Sequence, residues 1–238
     1  TRFIIESELL TESGTMVIYG KAGTLKSWMV IDLMFALSQG DKWLAFPCQK
    51  VPVLMVQSED TEAQYQPRIV KYCEGLNGVR PNNLLFDNDI TLKLTGFVGL
   101  KMLEASLEEW RSQGLPSMPK VIVLDCLYQL VSGSVSSEVD IKQFTANVDK
   151  IRQEFGCAFV IVHHPRKAGD DDSGFEEMLS SSVLGNWLDT IIKVESVPPD
   201  ADQPVTLDLR FQKVRHAIQE VSGIRVKFNR QHVRFGIS

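Results

Sequence analysis

Apolar residues along this chain fall into short unbroken runs, separated by longer stretches in which they recur every three or four positions. Four runs, Thr15 to Tyr19, Val51 to Gln57, Val121 to Leu124 and Ala158 to Val162, carry almost no polar alternation. Strands buried on both faces have this pattern. Helical spacing fills Lys26 to Gln39, Thr61 to Gly75, Gly99 to Ser112 and Asp140 to Phe155. The alternation of strand and helix predicts an α/β fold, with a mostly parallel central sheet flanked by helices. Beyond Val194 the period shortens to two. Val205 to Val214, Gly223 to Phe228 and His232 to Phe235 read as C-terminal antiparallel strands on one sheet edge, reached through a turn-rich link at Pro198, Pro199 and Pro204. Two segments without apolar periodicity, Ser132 to Glu138 and Arg166 to Ser182, read as loops, the second a mobile one.

Composition narrows the class. At 238 residues the chain is expected to form one domain spanning 1–238, with a substantial core. Its first residue is Thr1, and no basic-then-apolar leader follows, so a fragment of a longer protein with flanking domains is expected. The 44% hydrophobic and 23% charged fractions suit a soluble, cytoplasmic domain, and no run is long enough to cross a bilayer. Cys48, Cys73, Cys126 and Cys157 are widely spaced, which favours reduced, buried thiols over a disulfide or zinc framework. A net charge of −5 argues against indiscriminate nucleic-acid binding but leaves a basic channel or loop open.

Chemistry concentrates where strands end. Directly after the first run comes Gly20-Lys21-Ala22-Gly23-Thr24-Leu25-Lys26-Ser27-Trp28, directly before a helix. Small residues there bring backbone N–H groups to phosphate oxygens, and the helix dipole favours the negative charge. Lys26 is placed to reach the β- and γ-phosphates of a nucleoside triphosphate, and Ser27 to hold Mg²⁺. Leu25 stands where the usual spelling of this loop has a second glycine. The third run ends in Asp125, suited to lie beside that Mg²⁺. The second leads into Ser58-Glu59-Asp60, where Glu59 is a candidate to orient the attacking water; both acids also suit the N-terminus of the following helix. The fourth ends in His163-His164, placed to sense the γ-phosphate. Zinc is not expected there, because adjacent strand residues face opposite ways and no Cys or third His lies nearby. Lys213 and Arg215 share one face of a late strand.

The ordered set, Gly20 to Ser27, Ser58-Glu59-Asp60, Val121 to Asp125 with its following Cys-Leu, and Val160-Ile-Val-His-His-Pro-Arg-Lys167, resembles the RecA-like ATPase core of the DnaB and RepA type of hexameric helicase, especially the plasmid- and phage-borne RepA-like branch. The linker Gly40 to Pro52 and the stretch Ser180 to Asp189 are similar to that branch as well. The resemblance implies a RecA-like P-loop NTPase that binds ATP and Mg²⁺ through Lys26, Ser27 and Asp125. It implies Glu59 as catalytic base, His163 or His164 as γ-phosphate sensor, and Lys213 with Arg215 serving a neighbouring subunit's nucleotide. It further implies a homo-oligomer, in the family a hexamer, with single-stranded DNA held by the two loops, replication proteins as partners, and a bacterial, plasmid or phage setting. Those loops are poor in positive charge: the first carries only Glu138, and the second sets Arg166 and Lys167 against Asp170, Asp171, Asp172, Glu176 and Glu177. An oligomeric ATPase that loads or remodels proteins therefore stands as an alternative, and a P-loop small-molecule kinase as a third.

Overall fold

The computed structural model describes residues 2–76, 78–112, 118–164, 181–198 and 204–238. Its centre is a nine-stranded sheet. Six strands run parallel: β3 (Thr15–Tyr19), β6 (Val53–Gln57), β7 (Leu84–Asn88), β8 (Val121–Asp125), β9 (Ala158–His163) and β10 (Thr190–Ser196). From one edge they are ordered β7, β6, β8, β9, β3, β10, and three antiparallel strands then extend the sheet, β11 (Val205–Val214), β12 (Ile224–Asn229) and β13 (Arg234–Ile237). Two short ladders lie outside it, β1 (Phe3–Ile5) with β2 (Leu10–Thr11) and β4 (Lys42–Trp43) with β5 (Phe46–Pro47).

Every residue of β3, β6, β8 and β9 is buried, which is why their sequences are continuous apolar runs. Successive residues still point to opposite faces. Met16, Ile18, Met55, Val123, Val160 and Ile192 pack on one side with α1 (Lys26–Gln39) and α2 (Glu62–Glu74). Val17, Leu54, Val56, Ile122, Leu124 and Ile161 pack on the other with α3 (Phe97–Ser112) and α5 (Glu138–Phe155), which follows the single turn α4 (Leu127–Leu130). Helix α1 is buried nearly all round, as a helix between a sheet and further elements must be. Helix α2 opens with a capping box between Thr61 and Gln64, and α5 with Ser137 accepting from the Asp140 N–H. The fold is thus the α/β arrangement expected. Sequence reading passed over two strands of the central sheet, β7 and β10, the four strands of the short ladders, and the short helices α4 and α6 (Ser182–Trp187).

Candidate nucleotide site

Strands β3, β6, β8 and β9 end side by side, so their carboxyl ends deliver four loops to one edge, where open α/β sheets bind ligands. After Tyr19 the backbone turns sharply. A Cβ on Gly20 would lie 2.2 Å from the Val194 carbonyl of β10, so this position accepts no side chain. Gly23 sits at φ +82°, and Lys21, Ala22 and Gly23 form an exposed tip. Leu25 caps α1 in the left-handed region, φ 55° and ψ 23°, while its side chain packs half-buried against the core. Leucine therefore adopts the backbone conformation that makes glycine the usual residue here. The first helical bond runs from Met29 N to Leu25 O at 3.0 Å, so the N–H groups of Lys26, Ser27 and Trp28 lie ahead of it at the positive end of α1. The Trp28 ring turns away and packs on Phe228 of β12, which limits this residue's part in a phosphate cradle to its backbone.

Lys26 is buried, and its ammonium donates to the carbonyls of Gly20 and Lys21, both at 2.7 Å, and to Thr24 Oγ1 at 3.0 Å. All three donors are thus spent on the loop itself. Burial lowers its pKa to about 8, against the pull of Asp125 and Glu59. Asp125 is completely buried at the end of β8. Its Oδ2 is 3.5 Å from Gln57 Nε2, and its Oδ1 has no hydrogen-bond partner among the described residues. Burial and the nearby Glu59 raise its pKa to about 6, with His164 opposing.

Glu59 is aimed by its own strand. Ser58 donates from N and Oγ to the Asp125 carbonyl, at 2.7 and 3.2 Å, and Gln57 Oε1 accepts from the Glu59 N–H at 2.8 Å. The Glu59 carboxylate meets His164 Nε2 at 3.3 Å and the Tyr128 hydroxyl at 3.5 Å. The His164 imidazole beside it, with help from the Cys126 thiol and Tyr128, holds it below the usual carboxylate range. Asp60 points elsewhere, into an ion pair with Arg68 at 2.6 Å. The two histidines part as the strand pleat requires. His163 is buried opposite Tyr19, whereas His164 reaches Glu59. The expectation that no cysteine lies near the histidines is corrected here. Because β8 pairs with β9, Cys126 joins Glu59, Asp125 and His164 in one cluster, with ligand atoms all within 4.8 Å of one another. Gln57, Ser58, Cys126 and Tyr128 have no site role assigned from the sequence, although Cys126 adjoins Asp125 and Gln57 and Ser58 precede Glu59.

Lys213 and Arg215 lie apart from this cluster. Strand β11 is antiparallel to β10, and Val214 pairs with Thr190, which itself pairs with Met16 at the start of β3. The basic pair is therefore set back from the phosphate loop by roughly 13 Å along the strand direction, the length of β3, and by two strands sideways. Lys213 donates to the Gly185 carbonyl at 2.9 Å, and Arg215 pairs with Asp189 at 2.8 Å and also donates to the Asn186 carbonyl. Both cations thus sit at the C-terminal end of α6, where the helix dipole favours them. Val131 to Ser137 forms the link between α4 and α5, and Glu138 begins α5; of the longer loop, residues 166–180 lie outside the described set.

The residues present fit a nucleotide with its cation. The buried, unpartnered Asp125 oxygen, the ammonium of Lys26 and the open first turn of α1 meet at one edge, and Ser27 is half-buried beside them. This fold and site define a P-loop ATPase of the RecA-like type. The chain belongs to the AAA domain family AAA_25, whose family model matches residues 2–170. A search of curated proteins finds no match. Among solved structures, the ATPase domain of G40P is similar with a TM-score of 0.66 at 11% identity, covering 95% of this chain and 85% of that one. A KaiC-like protein from Pyrococcus horikoshii gives 0.62 at 10% identity, and the flagellar accessory protein FlaH from Methanocaldococcus jannaschii 0.63 at 14%, each covering 95% of this chain and 90% of the other. Among the described residues, no helix is long and apolar enough to cross a membrane.

Proposed function

We propose that the chain is an ATP-hydrolysing motor domain of the helicase type, working in a homo-oligomeric ring, a hexamer by resemblance, on single-stranded DNA. The observation that carries hydrolysis is the convergence of Lys26, Asp125, Glu59 and His164 at the carboxyl ends of four adjacent strands. ATP enters against the loop, Lys26 exchanges its carbonyl partners for phosphate oxygens, and the first N–H groups of α1 take up negative charge. Ser27 and Asp125 would hold Mg²⁺, which supplies charge neutralisation on the β- and γ-phosphates. Glu59, kept ionised by His164, orients the water and accepts its proton. His164 then carries a change at the γ-phosphate into the chain that follows it, toward the DNA-facing loop.

Oligomerisation is supported by the basic pair. A strand's length separates Arg215 from its own phosphate loop, which suits service to a neighbour's nucleotide, where an arginine is worth roughly 10³ to 10⁵ in rate. A second reading, in which the ring remodels protein rather than DNA, is favoured by the Ser132 to Glu138 segment, whose one charge is negative where a DNA channel needs cations. ATP hydrolysis with and without single-stranded DNA, on protein sized by light scattering in the same buffer, separates them. Stimulation of an assembled species supports the helicase reading. Equal rates in an assembled ring favour protein remodelling, and an assembled ring without hydrolysis refutes both.

A further inference from the structure

The cluster around Glu59 holds more chemistry than ATP hydrolysis uses. Mg²⁺ takes hard oxygen donors, yet a thiol and an imidazole stand beside the two carboxylates. We propose that Glu59, Asp125, Cys126 and His164 form a binding site for a thiophilic divalent cation of the Zn²⁺ class, and that its occupancy withdraws Glu59 from ATP hydrolysis.

The donor set is one sulfur, one nitrogen and two carboxylate oxygens, a mixture that selects Zn²⁺ over Mg²⁺. Its four ligand atoms lie within 4.8 Å of one another, and Glu59 and His164 are already 3.3 Å apart. Tetrahedral bonds of about 2.0 to 2.3 Å place ligand atoms roughly 3.3 to 3.8 Å apart, so closure needs shifts of about an ångström. Asp125 independently points to a cation. It is fully buried, its Oδ1 has no hydrogen-bond partner among the described residues, and Glu59 adds a second negative charge nearby. A buried carboxylate in that setting gains from any cation that reaches it. Access is from the Glu59 and His164 side, whose side chains are 33% and 23% exposed, while Asp125 and Cys126 form the floor. On binding, the Cys126 S–H bond gives way to a sulfur–cation bond and the proton leaves to solvent.

The inhibitory half rests on Glu59 being the base; the binding half does not. Co²⁺ serves as the spectroscopic probe on the whole purified chain. One equivalent is expected to give a thiolate-to-cobalt absorption band, displaced by one equivalent of Zn²⁺. Cys126→Ser should abolish the band, Cys73→Ser should keep it, and His164→Gln should weaken binding at least tenfold, a check that stands even if the Cys126 variant fails to fold. Absence of the band, or its survival in Cys126→Ser, would overturn the site. For the second half, micromolar Zn²⁺ should inhibit the Mg²⁺-dependent ATPase of the wild type, with at least tenfold lower potency on His164→Gln relative to that variant's own rate. A cobalt band with an ATPase indifferent to Zn²⁺ refutes inhibition; a band on a chain that never hydrolyses ATP supports the site and retires the motor reading.

Discussion

At the scale of single residues, the site sets stability against chemistry. Asp125 has a folded pKa of about 6, above its ordinary 3.8, so the folded state holds more protons between these values and its stability falls as pH rises through that window. Asp125→Asn removes the buried charge. It should stabilise the ligand-free protein by about 1 to 3 kcal/mol at pH 8, with the gain vanishing near pH 4, as melting temperatures across pH will show. Lys26 behaves oppositely. Its folded pKa of about 8 lies below the ordinary 10.5, so its burial penalises the folded state below pH 8 and that penalty is lifted as pH climbs from 8 to 10.5. Lys26→Ala should weaken ATP binding by about 10²-fold, the loss of charge-assisted contacts to phosphate, measured by calorimetry. Glu59→Gln should retain binding while kcat falls by roughly 10² to 10⁴, because an amide cannot accept the water's proton. At Leu25 two effects oppose. Glycine relieves about 1 kcal/mol of left-handed strain but loses a half-buried side chain, so Leu25→Gly should change stability by less than ~1 kcal/mol; Leu25→Val, β-branched at positive φ, should cost about 1 to 2 kcal/mol. Thermal unfolding of the pair tests that ordering.

Between elements, Asp189 staples the starts of β3 and β10. Its carboxylate accepts from Thr15 N at 3.0 Å and from Arg215, and its N–H donates to the Thr15 carbonyl. Asp189→Ala should cost about 2 to 3 kcal/mol by loss of a buried acceptor, and Arg215→Ala only about 1, since the arginine is partly exposed; urea unfolding measures both. This scale also shows what the sequence conceals. Four of the parallel strands are legible because they are apolar along their length and polar only at an end. Strand β10 is not, since Lys193 and Glu195 interrupt it, and only the folded strands show that Glu195 pairs with both Lys193 and Arg210. Strand β7, ending in Asp87 and Asn88, escapes notice because an edge strand tolerates polar residues. The phosphate loop is legible because its chemistry is local, eight consecutive residues with fixed spacing. Cys126 is not, because its meeting with His164 depends on β8 lying next to β9, which no local pattern states.

For the whole molecule, the partition of labour between subunits is the decisive expectation. Mixing Arg215→Ala with Lys26→Ala protein should restore activity to mixed rings at interfaces that unite an intact loop with an intact arginine, and steady-state ATPase against mixing ratio will show it. A linear decline without recovery would place Arg215 in a purely structural role. The strand order has another consequence, for synthesis. Strand β3 carries the phosphate loop but pairs only with β9 and β10, so its partners emerge from the ribosome some 140 to 180 residues after it. At elongation rates of roughly 5 to 20 residues per second the loop waits on the order of ten seconds before either neighbour exists. Until then its two flanks offer unpaired backbone, and a nascent chain arrested before β9 presents this loop to chaperones rather than to ATP.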